Sequence, residues 1–72
     1  MTEFLKSLRK DSSCFTVEDD ERGFTMTAIA GREADFNELA RTLADRVDPS
    51  FHAFLRADGQ GGYDRAQIML VG

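Results

Sequence analysis

Between Glu33 and Val47 the apolar residues Phe36, Leu39, Ala40, Leu43, Ala44 and Val47 recur at the period of one helix face. This stripe predicts an amphipathic helix over residues 33 to 47. Glu33 and Asp35 in its first turn and Arg41 and Arg46 in its later turns suit the helix dipole. Asp48-Pro49 then stops it, because a residue before proline avoids the helical region. A shorter stripe of Phe4, Leu5 and Leu8, with Lys6, Arg9 and Lys10 facing outward, predicts a first helix over residues 2 to 11, capped by Thr2.

Elsewhere the period falls to two. Cys14-Phe15-Thr16-Val17 and Phe24 to Ala30 alternate around an acidic turn ending in Gly23, which is expected to supply a residue tolerant of positive φ. Phe51 to Arg56 and Arg65 to Val71 flank Asp58-Gly59-Gln60-Gly61-Gly62, a glycine-rich turn expected to be flexible. The order αββαββ therefore predicts an α+β fold, with two helices on one face of a four-stranded, mostly antiparallel sheet. Alternation assigns Phe15, Val17, Phe24, Met26 and Ala28 to the helix side, joined by Phe51, Ala53, Leu55, Ala66, Ile68 and Leu70. The opposite side receives Cys14, Thr16, Thr25, Thr27 and Ile29 from the first hairpin, and His52, Phe54, Arg56, Gln67, Met69 and Val71 from the second. Pattern alone leaves the strand order open. The order also differs from the βαββαβ of ferredoxin-like and single-strand RNA-binding domains.

Length narrows the picture: 72 residues accommodate a single domain, residues 1-72. So short a chain buries only about 60% of its unfolded surface, which leaves stability marginal unless something supplements it. One cysteine allows no internal disulfide, and no Cys/His cluster stands in the sequence to hold zinc. Self-association is the remaining supplement. A net charge of −4 argues against a nucleic-acid backbone as partner, since Lys6, Arg9 and Lys10 are the nearest approach to a basic patch. Neither a leader-like start nor a run of membrane-spanning length is present, so a cytoplasmic location with no membrane partner is expected.

Candidate chemistry is sparse. Cys14 and His52 are the only thiol and imidazole, yet nothing in the sequence brings them together, and a nucleophilic cysteine needs a cationic neighbour or a helix N-terminus. Asp58 to Asp64 has the look of a calcium loop, but Met69 stands where the closing glutamate belongs. The glycines there feed a strand, not the helix start that a phosphate loop requires. The run Glu18-Asp19-Asp20-Glu21 fits a solvated turn, with an acidic docking spot as the alternative. No catalytic residue, metal ligand or cofactor is assigned.

Phe54, Met69 and Val71 remain, an apolar strip bordered by His52 and Arg56 on the side away from the helices. The expectation is a non-enzymatic protein-interaction module, binding a protein partner or itself as a homodimer through these five residues. The alternative is a small-ligand or nucleic-acid binding domain in which His52, Phe54, Arg56 and Tyr63 form an aromatic and cationic platform.

Overall fold

The computed structural model describes residues 3–10 and 13–71. It forms α1 (Glu3–Lys10), β1 (Phe15–Asp19), β2 (Gly23–Ala28), α2 (Glu33–Asp45), β3 (Phe51–Ala57) and β4 (Tyr63–Leu70). The α+β class and the αββαββ order are as the pattern predicts. Thr2, the expected cap, and Asp11, the expected end of the first helix, lie outside the described residues.

The four strands form one antiparallel sheet in the order β1-β2-β4-β3. Because β2 and β3 each run antiparallel to β4, they run parallel to one another. The 13-residue α2 makes the crossover between them, and about 20 Å of helix is ample for that connection. At its first residue β2 approaches β4 closely. A side chain at Gly23 would overlap the Ile68 carbonyl oxygen and approach its carbon to 3.0 Å, so glycine is required there by close approach of β2 to β4. This corrects the expected role: Gly23 is not among the positive-φ residues, which are Gly31, Gly59 and Gly61.

Cross-strand rows build the core. Phe24, Ile68 and Ala53 stand side by side, as do Met26, Ala66 and Leu55. Leu5 and Leu8 of α1 and Phe36, Ala40 and Leu43 of α2 close over them. The Phe36 ring meets Phe15 edge-on at 6.4 Å. Arginines fasten α1 at both ends. Arg9 lies 4.9 Å over the Phe24 ring and pairs with Asp19 at 2.9 Å, whereas Arg46 lies 3.9 Å over Phe4, which stacks on Phe51.

Both hairpin turns are organised by an aspartate. The Asp20 carboxylate accepts the N–H groups of Arg22 and Gly23 at 2.7 and 2.8 Å, and Asp58 accepts those of Gln60 and Gly62 at 2.6 and 3.1 Å. The glycine-rich turn is also docked on α2. Asn37 accepts the Tyr63 N–H, and a Cβ on Gly62 would meet the Asn37 amide at 2.5 Å.

Four assignments from the pattern are corrected, the first being Ala44, which stands on the stripe of α2 yet is exposed. Val47, placed on the buried stripe, is 98% exposed because α2 ends at Asp45, before the period can carry it inward. Leu70, the last residue of β4, is 38% exposed. Cys14, placed on the open face, is buried in the core cluster at 7% exposure. Alternation applies only within extended strand, and the bend at Ser13-Cys14 before β1 leaves the thiol on the helix side.

Candidate interaction surface along the third strand

The sheet side away from the helices is ordered by register. His52 stands beside Met69, Phe54 beside Gln67, and Arg56 beside Arg65. Register sets Phe54 and Met69 diagonally on this side, and Val71 follows directly after the end of β4. Phe54 and Val71 are each 53% exposed, whereas Met69, flanked by His52 and Gly23 on its two neighbouring strands, is half-buried. The His52 ring lies 6.5 Å from that of Phe54, tilted by 49°.

Two like charges face each other at Arg56 and Arg65, and a shift of register resolves the conflict. Arg56 pairs with Arg65 but Ala57 with Tyr63, so Asp64 is an extra residue in β4. A bulge of this kind turns two successive side chains toward one partner. The Asp64 carboxylate thereby accepts two hydrogen bonds from Arg56, Nε and Nη2 each at 2.9 Å. The ion pair holds the Asp64 carboxyl below its ordinary 3.8 and raises the guanidinium above its own ordinary value. Hydrogen bonds from the Ser50 hydroxyl and N–H likewise lower Asp48, in the connection before β3.

Sequence reasoning missed Val47 and Leu70 as surface residues, and their positions define the candidate surface. The exposed large hydrophobics among the described residues are Val47, Phe54, Leu70 and Val71. Val47 lies in the α2–β3 connection, Phe54 on β3 itself, Leu70 opposite Phe51, and Val71 donates its N–H to the Ser50 carbonyl at 2.9 Å. All four lie on or beside β3, an edge of the sheet, with Phe54 on the side away from the helices and Leu70, opposite the buried Phe51, on the helix side. A cleft of about 510 Å³, lined by Val47, Pro49, Phe51 and Phe54 among others, follows that edge.

Other constellations come apart in three dimensions. Cys14 lies at the β1 edge on the helix side, while His52 is exposed on β3 at the opposite edge, three strand spacings or about 14 Å away across the sheet alone. Tyr63 packs against the core and is bound by Asn37, so it leaves the platform imagined with His52, Phe54 and Arg56. The acids of the calcium-like segment are committed, Asp58 to its own turn and Asp64 to Arg56. Within the acidic run, Asp19 is paired with Arg9 and Asp20 closes the first hairpin. A groove of about 890 Å³ between the helices carries Arg32 and Arg41 against Asp35 and Glu38, and Arg32 is already paired with Asp35 at 2.9 Å. No family model, curated protein or solved structure matches the chain.

Proposed function

We propose that this chain is a non-enzymatic interaction module that works by associating with itself, through the sheet side and edge formed by β3. The observation that carries the reading is the gathering of Val47, Phe54, Leu70 and Val71 around one strand. Large exposed hydrophobics concentrated along one unpaired sheet edge mark a partner surface more often than an accident. Symmetric pairing covers such an edge with the means the chain already has, which suits a small core without disulfide support. Phe54 is the anchor, flanked by His52 and Arg56, with Met69 and Val71 extending the contact along β4. Among the described residues no helix is long and apolar enough to cross a membrane. With its one free thiol, the module is placed by this proposal in the reducing cytoplasm.

Sedimentation of the full chain at tens of micromolar tests the reading and should show a dimer. Phe54→Asp should shift it to monomer while far-ultraviolet circular dichroism stays native, because an unpaired charge is costly to bury in a contact. A wild-type chain that remains monomeric at hundreds of micromolar would sink the proposal.

A further inference from the structure

Resting on that reading, we infer that the partner of β3 is the β3 of a second copy, paired antiparallel about a two-fold axis at Phe54 so that two sheets become one of eight strands. The two edges of the sheet are β1 and β3, and they differ in how they are guarded. Natural edges are blunted by charge, proline or bulges. β1 ends in Glu18 and Asp19 and runs into Asp20 and Glu21, so that edge carries a run of four acidic residues at one end, of which Asp19 is paired with Arg9. β3 contains no proline, and its one charged side chain, Arg56, is neutralised by Asp64 within its own chain.

The seven residues of β3 have Phe54 at their centre. Antiparallel pairing about that residue sets Phe54 against Phe54, the closest possible use of the exposed ring. His52 falls opposite Arg56, whose charge Asp64 already balances, so no like charges are opposed across the new seam. On the helix side, Leu55 of one copy falls beside Ala53 of the other, in the cleft that Val47 borders. Each free N–H and C=O of the edge gains a partner from the same pairing. Self-complementarity of length, charge and apolar side chains thus singles out a second copy as the occupant of this edge.

Register makes the inference testable by cross-linking. Directly opposed residues of an antiparallel pair have Cα atoms roughly 4.5–5.5 Å apart, within disulfide range, whereas His52 and its own copy would lie about 14 Å apart. H52C and R56C chains, one of them tagged, are mixed under mild oxidation, with the wild-type chain as control for Cys14. Mixed H52C–R56C dimers should form, with few links in either chain alone. In the wild type, amide exchange of residues 51–57 should slow as concentration rises from a few to hundreds of micromolar, with residues 15–19 unchanged. Dimers that give homogeneous links as readily as mixed ones, or leave β3 exchange unchanged, overturn the strand pairing while self-association stands. Absence of any dimer removes both.

Discussion

Replacing Gly23 by alanine separates generic propensity from the particular packing of this sheet. Glycine inside a strand ordinarily costs roughly 0.5–1 kcal/mol relative to alanine, so propensity alone makes Gly23→Ala stabilising. Here the added Cβ would overlap the Ile68 carbonyl oxygen, a backbone atom of central strand β4 that cannot rotate away. The two strands must separate by about an ångström, and overpacking of that kind costs roughly 1–3 kcal/mol. The same displacement strains the neighbouring hydrogen bond from the Leu70 N–H to the Arg22 carbonyl, now 2.7 Å and worth about 1 kcal/mol. The clash outweighs the gain, and a net loss of about 2 kcal/mol is expected. A chain of 72 residues has a total stability of only about 4–11 kcal/mol. Urea unfolding followed by circular dichroism would show the loss as a midpoint lower by about 2 M, for a slope near 1 kcal/mol per molar. Gly31→Ala is the comparison, since its strain comes from a φ of 89° with nothing within 4 Å. A Gly23→Ala chain as stable as the wild type would refute the close approach of β2 to β4.

Leu43→Ala should cost about 2–4 kcal/mol in the same assay, because the side chain is buried beneath α2; a cost below about 0.5 kcal/mol would show that the stripe faces elsewhere. Alkylation of Cys14 should be much slower in the native protein than in denaturant, and equal rates would contradict its burial. The carboxyls of Asp48 and Asp64 both titrate below 3.8 in the folded chain, through the Ser50 hydrogen bonds and the Arg56 pair respectively. Lowered folded values mean that their stabilisation is present above the ordinary value and is lost as pH falls through the folded one. The urea midpoint of wild type should therefore fall more between pH 6 and pH 3 than that of an Asp48→Asn/Asp64→Asn chain, and parallel profiles would remove the assignment.

Elements with a strong local period were fully legible in the chain. Phe36, Ala40 and Leu43 announce α2, and the alternation of Phe24 with Met26 and of Ala66 with Ile68 announces strands with one buried face. These follow from side-chain geometry at a spacing of a few residues, which composition and order contain. The outward positions of Phe54 and Met69 were legible for the same reason, although the openness of each was not. Met69 is partly covered by neighbours on two other strands, a matter of register between segments far apart in sequence.

What only the tertiary structure decided concerns ends, edges and close approaches. Periodicity extends the helix to Val47, but the backbone leaves α2 at Asp45 and turns that valine into the most exposed of the large hydrophobics described. The order β1-β2-β4-β3 makes β3 an edge, and so sets Phe54, Val47 and Val71 on or beside an unpaired strand; no local pattern encodes which strand is left unpaired. The glycine-rich turn reads as free in the sequence, yet Asn37, 26 residues from Tyr63, anchors it to α2. Gly23 shows the reason most directly. Local propensity concerns one residue and its immediate neighbours, whereas the need for glycine there is set by the Ile68 carbonyl, which only the folded sheet brings to it.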